Sequence, residues 1–369
     1  MPRSARLAVL FSFLLQGGLI LAARYRLSYD AYNHMFFSDH YRMDWWSLWD
    51  ARWYTGFSVN SYPPLVHQLI SALSHLIGLD AAFALLLWIT VTLLPLAVYA
   101  FARIFVGKTS AGYAALGAAF LPSVYLTAHI FGQLPTLFGA LFALLGATSL
   151  ARYLKEGGIH NFALTIALGT TTMAAHHATL LLQTFLVTAV VIRIFLNHGD
   201  TESRRLNKKI SVLSASPWLI PRLTLFVIVA VVFSFIVIWP FWEWGYTQSI
   251  QTPIDHASRH NFFEDPTALL FFFLPVYGPL MLIIPCALWL ARKRSLLGLG
   301  FALGMLFLLG LGGTTPLPPL FFGKGWEWLT YDRFAFWASL ALLPFFGTIV
   351  ILLRQRFRGI RAKIFLALA

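Results

Sequence analysis

Charged residues are scarce in this sequence. Lys, Arg, Asp and Glu make up 11% of the 369 residues, whereas hydrophobic residues make up 59%. Soluble globular domains carry about 25% charged and about 45–50% apolar residues, so the composition excludes a soluble domain. Because one membrane-spanning helix needs about 20 apolar residues, the hydrophobic content suffices for roughly ten spans. We therefore interpret the chain as an all-α polytopic membrane protein.

Cysteine and the common motifs of soluble enzymes are also nearly absent. The single cysteine, Cys286, has no partner for an internal disulfide, which excludes a disulfide-built secreted module. The sequence contains no P-loop, GxGxxG, HExxH, CxxC or GxSxG pattern. No soluble domain separates from the apolar segments, and no internal repeat of the kind found in many transporters is visible. We treat residues 1–369 as a single transmembrane domain.

The apolar segments predict about ten transmembrane helices, each of roughly 20 residues. Pro275, Pro279 and Pro285 predict a kinked eighth helix, because proline removes a backbone donor and clashes with the preceding turn. The predicted spans are residues 7–23, 82–102, 112–128, 134–153, 159–176, 178–196, 223–242, 267–291, 296–312 and 334–353.

The distribution of charge predicts the orientation. Cytoplasmic loops of membrane proteins carry an excess of Lys and Arg. Ten spans place the main basic clusters and the N-terminal Arg3 and Arg6 on one side, so both termini are predicted to be cytoplasmic, in a plasma membrane. The net charge of +13 then reflects the cytoplasmic loops and gives no support for nucleic-acid binding. The clusters are Arg204, Arg205, Lys208 and Lys209; Arg292, Lys293 and Arg294; and Arg354, Arg356, Arg358, Arg361 and Lys363.

Three extracytoplasmic loops are long, and they cover about residues 24–81, 243–266 and 313–333. The first loop is rich in aromatic residues, which argues against disorder and predicts packed interfacial helices. Its segment 65–77 is apolar but short, so we predict an amphipathic helix on the outer surface, with Pro63 and Pro64 at its first turn.

Asp30 and His34 are the first candidate site residues in this loop. They are four positions apart, so both lie on one face of a helix. Such a pair could share a proton or hold a divalent metal such as Mn²⁺ or Mg²⁺, with Asp39 or a helix-end His as a further ligand. The alternative is that Asp30 caps a helix and His34 is an ordinary interfacial side chain.

Later in the same loop, Asp39, His40 and Arg52 are candidate substrate-binding residues. Arg52 could contact a phosphate or form a local ion pair with Asp50. The aromatic cluster here could be a sugar-stacking platform or an interfacial belt of the kind that anchors membrane proteins. Its members are Trp45, Trp46, Trp49, Trp53 and Tyr54.

The shorter external turns contribute further candidates. His129 and Gln133 lie in the second turn, and His176 and His177 lie in the very tight third turn. Adjacent residues on a helix point about 100° apart, so we expect one of the two adjacent His to join a site and the other to pack. Arg333, at the mouth of the last span, could bind an anionic head group, pair with Asp332 or anchor the interface. Ionisable groups at membrane depth are costly and therefore suggest function.

These features together resemble the GT-C superfamily of integral-membrane glycosyltransferases, which use lipid-phosphate sugars. The resemblance is carried by an acidic residue early in a long first external loop, here Asp30 in SYDAYNHMFF, and by Tyr62-Pro63-Pro64-Leu65 before a surface helix. The chain departs from oligosaccharyltransferases in lacking a DxD in the second external loop. That departure leaves metal dependence open.

A closer resemblance is to the bacterial and archaeal membrane family labelled "6-pyruvoyl-tetrahydropterin synthase-related". The name does not describe the chemistry, since nothing here is similar to the zinc-binding His triad of soluble pterin synthases. Many relatives continue beyond the tenth span, so we expect a short or truncated member. The similar segments are WDARWYTGFSVNSYPPLVH (49–67), AHIFGQLP (128–135), AAHH (174–177) and GLGGTTPLPPLFFGKGWEWLTYDRFAFW (310–337).

The resemblance implies an inverting glycosyltransferase that takes a polyprenyl-phosphate-linked sugar on the extracytoplasmic face. Asp30 would be the general base, and Arg333 or Arg52 would stabilise the leaving phosphate. The acceptor stays unidentified. The alternative is a non-enzymatic membrane transporter or an envelope-assembly subunit.

Overall fold

The computed structural model describes residues 1–53, 55–59, 62–206, 218–247, 253 and 255–368, without the side chains of 197–206, 241–242, 244–247 and 358–368. Within these residues the chain forms sixteen α-helices and two short strands. The helices are α1 (Arg3–Leu21), α2 (Ala31–Met43), α3 (Leu65–Ile77), α4 (Leu79–Ala102), α5 (Lys108–Ala119), α6 (Pro122–His129), α7 (Leu134–Glu156), α8 (Ile159–Ala175), α9 (His177–Leu206), α10 (Leu219–Thr247), α11 (Pro266–Ala268), α12 (Leu274–Tyr277), α13 (Ile284–Leu290), α14 (Leu297–Gly310), α15 (Leu317–Phe322) and α16 (Asp332–Leu368).

The fold is an all-α polytopic membrane fold, as the composition predicts. Eight helical stretches in the described residues are long and apolar enough to cross a membrane. Each coincides with one of the ten predicted spans. They are Arg3–Leu21, Leu79–Ala102, Lys108–His129, Leu134–Glu156, His177–Leu196, Leu219–Pro240, Pro266–Leu290 and Asp332–Phe357.

The other two predicted spans are the shorter helices α8 and α14. They have 17 and 14 residues, or about 26 Å and about 21 Å at 1.5 Å per residue. α8 nevertheless leads from the end of α7 to His176, whose ring lies 5.8 Å from Tyr62 in the first loop. α14 ends where Gly310 packs against Ala335 near the start of α16. Both helices therefore run between the two ends of the bundle.

One end of the bundle, which we call the site end, gathers the long loops. α1 and α8 end there, and α7 and α16 begin there, since Gln133 bonds both Asp30 and Arg333. The opposite end, which we call the basic end, carries the N-terminus and Arg354, which donates to the hydroxyl of Tyr113. Arg193 and Arg222 also donate to backbone carbonyls there. Arg193, Arg222 and Arg354 thus lie at the end opposite to the site.

Small residues let the helices approach closely. A Cβ on Gly347 of α16 would lie 2.0 Å from the Ser110 carbonyl of α5, and one on Gly139 of α7 would lie 2.9 Å from Thr179. Close backbone contact of this kind stabilises helix pairs in lipid, where dispersion rather than the hydrophobic effect drives association. α7 is accordingly the most buried span and forms the centre of the bundle.

The predicted kinks of the eighth span are confirmed. Between Pro266 and Leu290 the helix breaks into α11, a π-helical turn (Leu269–Phe273), α12, a 3-10 helix (Gly278–Ile283) and α13. Pro275, Pro279 and Pro285 fall at the start of the last three pieces. The break matters because α12 forms one wall of the candidate site.

The first loop folds into short helices and a hairpin. A 3-10 helix (Arg24–Leu27) follows α1, and α2 follows it. Strands β1 (Trp49–Asp50) and β2 (Phe57–Ser58) form a short antiparallel hairpin in which Trp49 faces Ser58 and Asp50 faces Phe57. α3 begins directly after Pro64 and lies against α2 and α4.

Candidate active site

Asp30 is held in place by the second external turn. Its backbone N–H donates to the Phe131 carbonyl at 3.0 Å, and the N–H of Tyr29 donates to the Ile130 carbonyl at 3.0 Å. Gly132 completes the turn with φ +73, and a Cβ there would lie 2.3 Å from the Ser28 hydroxyl oxygen. Glycine is required at this position both for its conformation and for the close approach. The first and second loops are therefore joined at the start of α2.

The carboxylate of Asp30 accepts hydrogen bonds from two side-chain amides, one in the second external turn and one in α2. Gln133 Nε2 donates to Asp30 Oδ2 at 2.5 Å, and Asn33 Nδ2 donates to Oδ1 at 3.3 Å. Asp30 precedes α2, but its side chain caps no backbone N–H. The capping alternative considered for Asp30 thus does not describe its side chain.

Gln133 connects Asp30 to Arg333. Its Oε1 accepts from Arg333 Nη2 at 3.0 Å and from the Thr136 hydroxyl at 3.0 Å. Two donors on the oxygen orient the amide, so its N–H₂ group is directed to the carboxylate. A base and a cation that are 303 positions apart in sequence thereby share one neutral bridge.

The guanidinium of Arg333 keeps capacity for an anion. Among the described residues no carboxylate forms an ion pair with it, so the predicted pairing with Asp332 does not occur. Arginine presents five N–H donors in a fork that matches phosphate oxygens. Arg333 therefore suits the recognition of a phosphate at this end of the bundle.

A narrow cleft opens beside Gln133 and Arg333 and leads between α6, α7, α12 and α16. Its enclosed volume is about 10 Å³, and the rest of the cleft opens to the surface. The polar groups of Gln133, Thr136, Asp332 and Arg333 line one part. The other lining residues are Ser123, Leu126, Thr127, Phe131, Val276 and Phe336. A polar part and an apolar part in one cleft suit an amphiphilic ligand.

Two buried histidines pack on the other side of Asp30. His34 Nδ1 lies 3.0 Å from His67 Nε2, and the ring of Tyr62 lies 4.9 Å from that of His34. Burial lowers the pKa of His67 to about 4 and lowers that of His34 well below its usual value, the latter helped by the charge of Arg333. The pair is therefore neutral at physiological pH.

Tyr62 links this histidine pair to Arg333 and Gln133. Burial raises the pKa of its hydroxyl, while hydrogen bonds to Arg333 and Gln133 act in the opposite direction. His176 is buried, and its ring lies 5.8 Å from that of Tyr62. Its Nδ1 lies 3.0 Å from the Thr179 hydroxyl. Of the two adjacent histidines, His176 is the one that packs on Tyr62.

No family model matches the chain, and no curated protein matches it. Solved structures do. The chain aligns with ArnT from Cupriavidus metallidurans bound to undecaprenyl phosphate at 14% identity and a TM-score of 0.54, over 90% of this chain and 59% of ArnT. It aligns with an oligosaccharyltransferase from Archaeoglobus fulgidus with a tethered acceptor peptide at 14% identity and a TM-score of 0.53, over 95% of this chain and 50% of that one.

The chain shares the fold of these two structures. It spans between half and three fifths of the length of each of them. The predicted architecture is confirmed at this level, with a long first loop between the first two spans.

Three of the predicted substrate-binding residues lie in a separate network within the first loop. His40 is buried between Asp50, at 3.0 Å, and the Ser47 carbonyl, at 2.7 Å. Arg52 pairs with both Asp50, at 2.6 Å, and Asp39, at 2.7 Å. The guanidinium beside Asp50 holds the pKa of that carboxyl at about 2. Asp39, His40 and Arg52 thus belong to one network through Asp50, which holds the hairpin of β1 and β2 on α2.

The remaining predicted residues have other surroundings. His129 is buried in the bundle, and its Nε2 lies 2.8 Å from Gln16 Oε1 of α1. His177 begins α9, with its ring 5.8 Å from that of His176. Trp45, Trp46, Trp49 and Trp53 are all exposed, as both the platform and the belt interpretations require. Tyr54 lies outside the described residues.

The fourth external loop, about residues 243–266, and the fifth, about residues 313–333, contact each other next to Arg333. The backbone N–H of Tyr331 donates to the Ser258 hydroxyl at 2.9 Å, and that of Phe262 donates to the Thr314 hydroxyl at 3.0 Å. His256 lies near both Asp332 and Arg333, and burial is the main cause that lowers its pKa. Its ring lies 5.1 Å from Phe272, which stacks on Phe131 of the second turn.

Metal ligands are incomplete in the part of the chain that the structure describes. No group of three or more His, Cys, Asp or Glu side chains there could hold a metal ion. Asp30 and His34, the predicted metal pair, have different partners: Gln133 and Asn33 for the carboxylate, His67 for the imidazole. Mg²⁺ demands near-octahedral oxygen coordination, which these side chains do not supply. We therefore derive the chemistry from the side chains alone.

Tyr62 and His67 are site residues that sequence reasoning missed. His67 stood out only as a polar residue in an apolar segment, and Tyr62 only as part of a Tyr-Pro-Pro-Leu element. Two signals were available in the sequence. His67 lies in the first turn of a predicted amphipathic helix, and Tyr62 directly precedes the two prolines before that helix. Nothing in the sequence pairs that helix with His34.

Proposed function

We propose that this protein is an inverting glycosyltransferase that uses a polyprenyl-phosphate-linked sugar as donor. The observation that supports it best is the hydrogen-bonded chain from Asp30 through Gln133 to Arg333 at a cleft of mixed polarity. A carboxylate and an unpaired guanidinium, held by one amide, are what a transfer from a phosphate leaving group needs. The donor lipid would lie along the bundle with its phosphate at Arg333.

In the proposed reaction Asp30 is the general base. Its Oδ1 has a single, long hydrogen bond to Asn33 at 3.3 Å, so this oxygen can accept the proton of an acceptor hydroxyl. The deprotonating oxygen attacks the anomeric carbon as the bond from that carbon to the phosphate oxygen breaks. A single displacement inverts the configuration, and the bonding electrons leave on the phosphate.

Arg333 stabilises the charge that develops on the leaving phosphate. The same residue is bonded to Gln133, so the cation is positioned against the base before substrate binds. Such preorganisation costs no rearrangement during the reaction. The buried, neutral His34 and His67 leave Arg333 as the local positive charge next to Asp30.

The lipid carrier is supported by one structural neighbour, since the ArnT structure is bound to undecaprenyl phosphate. We extend that ligand class to this chain because its cleft combines Arg333 with apolar walls of Leu126, Val276 and Phe336. We propose that the site end is extracytoplasmic, since Arg193, Arg222 and Arg354 lie at the other end, where the positive-inside rule expects cytoplasmic loops. A cell-envelope acceptor and membership of the "6-pyruvoyl-tetrahydropterin synthase-related" family belong to the same proposal.

Binding and turnover of detergent-purified protein test the function. Polyprenyl phosphate and a panel of polyprenyl-phosphate sugars would be titrated in thermal-shift assays, with and without Mn²⁺. A ligand at about 100 times its dissociation constant adds about 2.7 kcal/mol of stability. We expect Asp30→Asn to keep lipid binding and to lower turnover by about 10²–10⁴-fold, because only the base is lost.

The control is Glu327→Gln, an exposed carboxylate of the fifth loop, which should leave turnover unchanged. Full activity of Asp30→Asn would contradict the assignment of the base. Absence of any shift with polyprenyl phosphates, from folded protein, would instead favour a transporter or envelope-assembly subunit.

A further inference from the structure

Asp332 has a carboxylate oxygen that takes part in none of the hydrogen bonds described above. This residue is the first of α16, directly before Arg333, and it lines the same cleft. Its Oδ1 is inaccessible to solvent and has no hydrogen-bond partner within the described part of the chain. Leaving such an oxygen unpaired costs about 1–3 kcal/mol, and more for a charged group, so it calls for an explanation.

The neighbouring cation does not explain it. Arg333 donates to Gln133 and, among the described residues, forms no ion pair with the adjacent Asp332. A carboxylate next to a phosphate-binding arginine also weakens phosphate binding, because the two anions repel. Asp332 lies near His256, whose Nδ1 is engaged by the Ser258 hydroxyl. The free carboxylate oxygen of Asp332 therefore suits a ligand group that donates hydrogen bonds.

The surroundings of Asp332 suit a sugar ring. The hydroxyl of Thr136, the amide of Gln133 and the faces of Phe131 and Phe336 line the cleft with it. Sugar hydroxyls are hydrogen-bond donors, and the C–H faces of the ring pack on aromatic side chains. A negatively charged sugar would meet Asp332 as a like charge.

We propose that Asp332 is a specificity-determining residue that accepts hydrogen bonds from hydroxyls of the donor sugar and excludes sugars that carry a carboxylate. The substrate class is thereby narrowed to neutral hexosyl donors as against uronosyl donors. This inference rests on the proposed function, because it assumes a polyprenyl-phosphate sugar in the cleft.

The experiment compares three ligands on the full-length protein in detergent. Polyprenyl phosphate alone measures the affinity of the phosphate site. Polyprenyl-phosphate hexose measures how much affinity a neutral sugar adds. Polyprenyl-phosphate hexuronic acid measures how much affinity a carboxylate on the sugar removes. Dissociation constants would be measured for the wild type, for Asp332→Asn and for the control Glu327→Gln. The melting temperature of each ligand-free variant shows whether Asp332 stabilises the start of α16, so that this effect can be separated from an effect on ligand binding.

We expect the wild type and Glu327→Gln to bind the hexosyl lipid at least about tenfold more tightly than the uronosyl lipid, since like charges in a desolvated site repel strongly. Asp332→Asn should narrow that ratio to about threefold or less, because the amide no longer repels the uronate. Binding of polyprenyl phosphate alone should be unchanged or slightly tighter in Asp332→Asn.

The outcomes separate the two proposals. Equal binding of both sugar lipids by the wild type, or a ratio that survives in Asp332→Asn, overturns the role of Asp332 while leaving the lipid-phosphate site in place. Failure of the wild type to bind polyprenyl phosphate at all overturns the proposed function and this inference with it. A changed melting temperature with an unchanged ratio assigns Asp332 to the helix start alone.

Discussion

Gln133 shows how a neutral residue can organise charged ones. Its amide accepts from Arg333 and Thr136 and donates to Asp30, so three loops meet in one side chain. A carboxylate at the same position would repel Asp30, and an apolar side chain would leave both charges unconnected. The amide therefore keeps base and cation close without allowing them to neutralise each other as an ion pair.

Gly132 gives a test of this arrangement at the scale of a residue. With φ +73 and Ser28 and Ala31 in the way of a Cβ, Gly132→Ala should cost about 1–3 kcal/mol of unfolding free energy. It should also reduce turnover, since the turn that holds the Asp30 backbone must shift. Thermal unfolding in detergent and the turnover assay measure the two effects.

Gly78→Ala is the matched control for that experiment. Gly78 has a similar φ of +83, but a Cβ there meets nothing within 4 Å. It carries the conformational strain without the clash, and it is remote from Asp30 in the first loop. Turnover by Gly132→Ala equal to that of Gly78→Ala would show that the close packing on Ser28 is not needed.

At the scale of elements, α2 and α3 are joined through the buried His34 and His67. One nitrogen of each ring lies 3.0 Å from the other, so the N–H of one neutral imidazole can donate to the unprotonated nitrogen of its partner. Protonating the pair would place a charge in a buried site beside Arg333. The contact between the two helices is therefore sensitive to pH.

The lowered pKa of His67 has a defined consequence for stability. It is about 4 in the folded protein, against about 6.5 for an unperturbed histidine. Between these values the unfolded chain binds more protons, so stability rises with pH. We expect the folded protein to lose on the order of 3 kcal/mol from this group as pH falls from about 6.5 to about 4, and to be unaffected by it above about 6.5.

Unfolding of the wild type and of His67→Gln across this pH range measures the effect. The variant should have a lower unfolding free energy at neutral pH and a flatter pH dependence. His75→Gln is the control, because His75 lies on the exposed face of the same helix and its removal should leave the slope unchanged. An unaltered slope in His67→Gln would mean that acid lability arises elsewhere.

At the scale of the molecule, the separation of charge predicts sidedness. In a Cys286→Ser background, Glu327→Cys at the site end should react with a membrane-impermeant maleimide on intact cells. Arg292→Cys at the basic end should react only after permeabilisation, because the positive-inside rule places that end in the cytoplasm. Both positions are exposed in the structure. The reverse pattern of labelling would place the candidate site on the cytoplasmic side.

The structure confirms the helical membrane architecture and shows 65–77 as a helix, and both features followed from local sequence patterns. Apolar length, proline positions and amphipathic spacing act within one segment, so sequence reasoning could reach them. Asp30, Gln133 and Arg333 were also identified, because polar groups at the ends of apolar spans are costly and few. Their mutual hydrogen bonds were not predicted.

The sequence by itself determined that this protein folds in a membrane and which of its segments carry the positive charge. Composition and periodicity are sums over neighbouring residues, so they can be read without the tertiary structure. Tertiary structure alone decided which polar residues share a site. Asp39, His40 and Arg52 looked as suitable as Asp30 but belong to a separate network, in which Asp50 joins His40 to Arg52. Helix packing set these partners, since the pairing of Asp30 with Gln133, or of His34 with His67, depends on how distant segments meet and not on their spacing along the chain.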